Sequence, residues 1–118
     1  EVTALSDAYA VFKRAEAVNP GVRAGVVINR AEDREVALEA HDRLSAVSKR
    51  FLGRDLELAG WVPADPAVPR SVRARAPLML EAGDSPACTG MRSLAAWDGL
   101  ARPHAGDSFY DRARSALR

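Results

Sequence analysis

Val22-Arg23-Ala24-Gly25-Val26-Val27-Ile28-Asn29 is the stretch that decides the fold. From Gly25 to Ile28 it is continuously apolar instead of alternating, the pattern of a strand covered on both faces of a parallel sheet. Before it, residues 3–18 set Leu5, Ala8, Tyr9, Phe12, Ala15 and Ala17 at helical spacing, opposite Asp7, Lys13, Arg14 and Glu16. Thr3 is the predicted N-cap of that helix, and Asn19-Pro20-Gly21 stops it. After it, residues 32–52 return to helical periodicity through Val36, Leu38, Leu44, Val47 and Phe51-Leu52, with Gly53 as the predicted C-cap. Leu56 to Val62 (LELAGWV) is a second short strand running into Pro63, and 66–75 forms a short helix or turn opened by Pro66. Ser85 caps a last helix, with Pro86 in its first turn, extending to about Leu100.

Helix, strand, long helix, strand, helix is the rhythm of a doubly wound α/β sheet. Two strands alone leave such a sheet incomplete, because an open edge exposes unpaired ladder donors and acceptors. The pattern therefore predicts either further strands upstream or self-association. With 118 residues, the chain is one small domain, and 47% apolar content supplies a core. A net charge of +1 gives no global attraction for nucleic acid or an acidic partner. The single Cys88 excludes an internal disulfide and fits a reducing cytosol, and no stretch approaches the ~20 apolar residues of a membrane span. The chain starts at Glu1 and not at Met, so an excised or processed piece is expected.

Four motifs add a resemblance. Thr3-Ala4-Leu5-Ser6-Asp7-Ala8-Tyr9-Ala10-Val11-Phe12-Lys13 resembles a helix of the flagellar-number regulators in the MinD/ParA family of deviant Walker A P-loop ATPases. Val26-Val27-Ile28-Asn29-Arg30, Gly60-Trp61-Val62-Pro63-Ala64-Asp65, and Val68 to Pro77 with its closing Arg73-x-x-x-Pro77 follow in family order. Ser85-Pro86-Ala87 then opens the last helix, as it does in that family. The resemblance runs to about residue 101 and implies the C-terminal half of a doubly wound three-layer α/β/α P-loop NTPase fold, with 102–118 as a tail. It implies a parent ATPase that binds ATP with magnesium, dimerises when ATP is bound, works with flagellar or polar-localisation proteins, and resides in the cytoplasm. No G-x-x-x-x-G-K-[ST] or Gly-rich lysine loop occurs in this chain, and phosphoryl transfer needs that cradle. Catalysis by this chain alone is not expected.

What the resemblance assigns here is the adenine side. Asn29 falls at the carboxyl end of the first strand, where open α/β sheets bind ligands, and its amide offers a donor and an acceptor to a base edge. The family places an asparagine at this point, followed by an arginine, here Arg30. The bland alternative is that Asn29 caps the strand or the next helix. Pro63, Ala64 and Asp65 leave the second strand at the same edge, and in relatives this loop contacts the base, with Asp65 near its exocyclic amine. The alternative is a strand-to-helix turn in which Asp65 caps the following helix. Asp7, on a helix that lies near the dimer face in relatives, is the interface candidate; a solvated aspartate in a first turn competes with it.

Other features carry weaker readings. Arg70, Arg73 and Arg75 form a small basic cluster that could touch a phosphate or an acidic partner, but a run this short is expected to be a solvated face, and nucleic-acid binding of the partition-protein kind would want a broader patch with aromatic partners. His41 and His104 are expected on the surface without metal partners, and Cys88 as a half-buried structural thiol. In the tail, Asp107-Ser108 caps a predicted helix to residue 118, with Phe109, Tyr110, Ala113, Ala116 and Leu117 on one face. Packing against protein is expected over peripheral contact with the inner membrane, because that face is short. Two other functions compete with the ATPase fragment: an ATP-independent protein-interaction module, and a DNA-partition protein.

Overall fold

The apolar run is a strand, and its partner is the second apolar run. In the computed structural model, which describes residues 2–98, β1 (Gly25–Ala31) and β2 (Glu57–Pro63) pair in parallel, joined by helix α2 (Arg34–Leu52). Helix α1 (Val2–Val18) precedes this unit, and α3 (Ala67–Ala74), α4 (Leu78–Glu81) and α5 (Pro86–Ala95) follow it. The described residues thus form a mixed α/β fold around a two-stranded parallel sheet.

Helices cover both faces of that sheet. Phe12 of α1, Leu44 of α2 and Leu56 form a buried cluster, with Leu5, Tyr9, Ala24 and Val26 packed against it. Successive strand residues point to opposite faces, so Gly25 and Val27 look away from the cluster around Val26. On their side lies α5. A Cβ added at Gly25 would stand 2.5 Å from the Trp97 ring, and one at Gly60 would stand 2.7 Å from Leu94. Both glycines are there because the helix and its trailing tryptophan approach the strand backbone too closely for a side chain.

Polar contacts lock the ends of the elements. The Asp33 carboxylate accepts the Val36 N–H at 2.9 Å and caps α2, while Gly53 ends that helix in the left-handed region at φ 67°. Leu56 has both backbone groups held by α2: its N–H donates to Ser45 Oγ at 3.1 Å, and its carbonyl lies 2.8 Å from His41 Nε2. Arg54 donates to both oxygens of Glu16 (2.8 and 2.7 Å) and to the Val22 carbonyl, tying the α2–β2 turn to the end of α1. At the amino ends of the strands, Arg23 donates to Glu57 and to Asp98, and the Trp97 indole N–H donates to Glu57 at 2.9 Å.

Several expectations need correction. Thr3 lies inside α1, which already begins at Val2, and does not cap it. The last helix ends at Ala95 and not near Leu100, because the chain turns to lay Trp97 across Gly25 and bond Glu57. Short helix α4 was not foreseen; Pro77 precedes it in an extended conformation that breaks it from α3. His41 is not a surface residue: its side chain is 14% exposed and serves the Leu56 carbonyl. Cys88 is fully buried. Coverage of β1 is also incomplete, since Val27 keeps 46% of its surface exposed. The predicted tail helix and His104 lie outside the described residues, and among those described no helix is long and apolar enough to cross a membrane.

Candidate functional site

The two strands end together, and their carboxyl ends open on a cleft of about 780 Å³. Asn29 and Arg30 from β1 and Pro63, Ala64 and Asp65 from the end of β2 all line it. The five residues assigned to the base by resemblance therefore share one concavity. Two further walls come from farther along the chain: Pro66, Val68, Pro69, Val72 and Arg73 from the α3 segment, and Met91 from α5. The volume falls within the range of small-molecule sites, and the lining is apolar with a few polar groups, as such sites usually are.

Arg30 occupies an unusual position. Asn29 pairs with Val62 and Ala31 with Pro63, so Arg30 is the extra residue of a bulge. Its φ of 58° puts a non-glycine residue in the left-handed region. Bulges beside sites re-aim side chains, and backbone strain of this kind persists only where surrounding structure holds it. Ala31, next in sequence, is buried, and its carbonyl accepts the Ala64 N–H at 2.8 Å. That bond joins the two strand ends immediately below the cleft.

Asp65 is committed to the scaffold. One carboxylate oxygen accepts the Ala67 N–H at 2.8 Å and the other the Ala87 N–H at 3.0 Å. A single side chain therefore caps the first turns of both α3 and α5. These two N–H groups, Ala87 first, hold its carboxyl below the ordinary aspartate value, with smaller help from Ser85 and from the charge of Arg70 against the opposing effect of desolvation. Ser85 adds its own cap, accepting the Cys88 N–H. The capping role weighed from sequence is present here in doubled form.

The remaining candidates lie elsewhere or behave differently. Asp7 is exposed on α1 and does not line the cleft. The three arginines of the α3 segment split: Arg73 lines the cleft, Arg70 acts on Asp65, and Arg75 ends the helix at φ 53°. Among the described residues, no group of three His, Cys, Asp or Glu side chains could hold a metal ion. Sequence reasoning missed Val72 and Met91 as cleft residues, and singled out Arg73 only as part of a small basic cluster. The only available signal was the apolar-then-basic order in α3, which also describes an ordinary amphipathic turn.

A second cavity, of about 480 Å³, runs along β1 between α1 and α2, lined by Leu5, Ala8, Val26, Ile28, Val36 and Leu44 among others. Its lining is apolar apart from Asn29, Glu39 and Arg43. No protein-family model and no curated protein matches the chain.

Proposed function

We propose that this chain is the adenine-side half of a MinD/ParA-type P-loop ATPase domain, nearest the branch that regulates flagellar number or placement. The observation that carries the reading is the cleft at the carboxyl ends of two parallel strands, lined together by Asn29, Arg30, Pro63, Ala64 and Asp65. Asn29 would meet the base edge with its amide, while Pro63 and Ala64 would offer backbone groups. Asp65 would build the site by holding α3 and α5 at its rim.

In this reading the phosphate-binding half adds strands to β1, whose outer edge is unpaired among the described residues. Exposed Val27 and the apolar cavity beside it suit such a neighbour. The parent would bind ATP with magnesium, dimerise through a face that includes Asp7, and act in the cytoplasm with flagellar or polar-localisation proteins. Peripheral contact with the inner membrane would fall to residues 107–118.

The coding sequence upstream of Glu1 tests this directly. A lysine-bearing P-loop in frame is expected there, and a stop codon or an initiator immediately before Glu1 would sink the proposal. Isolated, the chain should bind ATP weakly, because the phosphate cradle is absent from it. Exposed Val11, Val27 and Leu80 favour the second reading, a protein-interaction module that docks through these surfaces without nucleotide.

A further inference from the structure

β2 pairs with one side of β1, so among the described residues the backbone N–H and C=O groups on the other side of β1 meet no strand. Exposed edges are commonly blunted by a charge, a proline or a bulge, yet β1 runs from Gly25 to Asn29 with none of these, and its bulge comes only at Arg30. Two cavities beside this edge form one groove, since Ala8, Val26, Val27 and Leu44 line both. The smaller, of about 360 Å³, is apolar throughout its described lining, which includes Val11, 71% exposed. In the larger, the charged residues of the described lining are Glu39 and Arg43, and they pair with each other. A strand edge is complementary to itself: turned about a two-fold axis, it presents a carbonyl where the first copy presents an N–H. A face whose charges cancel internally also meets its own copy without like-charge repulsion, and offers nothing to select a partner of strong charge.

We propose that two copies of the 118-residue chain pair β1 against β1, antiparallel and centred on Val27, the middle of the unbulged run. The product is a four-stranded sheet in the order β2-β1-β1-β2, with Val27 against Val27 and the two apolar grooves joined. An upstream half placed on the same edge would displace the second copy, so the pairing belongs to this chain and not to the parent ATPase. It makes no use of the cleft, and its failure leaves the adenine reading untouched.

Sedimentation equilibrium of the full chain, from micromolar to near-millimolar concentration, tests the pairing. The mass should rise from one chain to two, and amide exchange within Gly25 to Asn29 should slow as concentration rises. Val27→Lys and Val27→Glu, at an exposed position, should each weaken association on the order of a hundredfold by setting like charges face to face. An equimolar mixture of the two variants should associate again, because opposite charges then meet across the axis. Leu80→Lys, on exposed α4, should leave association unchanged. A wild type that stays monomeric throughout overturns the proposal, as does exchange at the β1 amides that ignores concentration, and neither result needs a variant. Association that survives Val27→Lys, that mixing does not restore, or that Leu80→Lys also abolishes overturns it too.

Discussion

Arg30→Gly should make the protein more stable and less able to bind its ligand. Arg30 sits at φ 58°, where a residue with a Cβ costs about 1–2 kcal/mol. Glycine removes that strain but loses more freedom on folding, which costs about 0.5–1 kcal/mol. The side chain of Arg30 makes no hydrogen bond or ion pair among the described residues, so its truncation removes no such contact. The net expectation is a gain of about 0.5–1 kcal/mol, a shift of several degrees in Tm for a domain of this size. Urea denaturation followed by tryptophan fluorescence measures it, with an unchanged m-value showing that only stability has moved. Arg30→Ala separates the two effects: the left-handed strain stays, so stability should hold within about 0.5 kcal/mol while ligand affinity falls as it does in Arg30→Gly. An Arg30→Gly protein that is less stable than the wild type would refute the strain argument. One that binds ligand as well as the wild type would refute the link between the bulge and the cleft.

Three further outcomes follow from the geometry. Gly25→Ala drives a Cβ into the Trp97 ring and should cost about 1–3 kcal/mol in urea melts, but far less when it is made in a Trp97→Ala background, where the ring it meets is gone. Asp65 has a folded-state pKa below its unfolded value, so its contribution to stability is full above the unfolded value and is lost as pH falls through the folded one. Asp65→Asn should therefore lower the urea midpoint at neutral pH and flatten its fall below about pH 4; an unchanged acid limb would argue against the double cap. Among the described residues Ser48 Oγ is buried in α2 without a hydrogen-bond partner, so Ser48→Ala should be neutral or stabilising by about 1 kcal/mol, and a clear loss of stability would contradict this.

Local chemistry made much of the fold legible. Gly25–Ile28 and Leu56–Val62 read as strands because their apolar runs are short and bounded by turn residues, and both are strands. Gly53 and Ser85 read as caps because left-handed backbone and a free hydroxyl are local requirements, and both cap their helices. The cleft was half legible. Asn29 to Arg30 and Pro63 to Asp65 could be placed from the ends of two parallel strands, where ligand sites form. Val72, Arg73 and Met91 could not, since their arrival depends on how α3 and α5 hang from Asp65. Nor does any residue pattern announce a bulge at Arg30; it arises from the register between β1 and β2. His41 was misread for a related reason. A polar side chain on a helix looks solvated until the Leu56 carbonyl is placed above it.

The central claim is that the carboxyl ends of β1 and β2 hold an adenine base. Mapping adenosine onto the 15N-labelled chain by amide shift changes is the most direct test. A small ligand held by one half of a site should bind in the millimolar range. The shifts should gather at Asn29, Arg30, Ala64, Asp65 and Met91 and vanish in Asn29→Ala. Shifts that scatter over α1 and α4, that persist in Asn29→Ala, or that are absent at saturating adenosine would contradict the account.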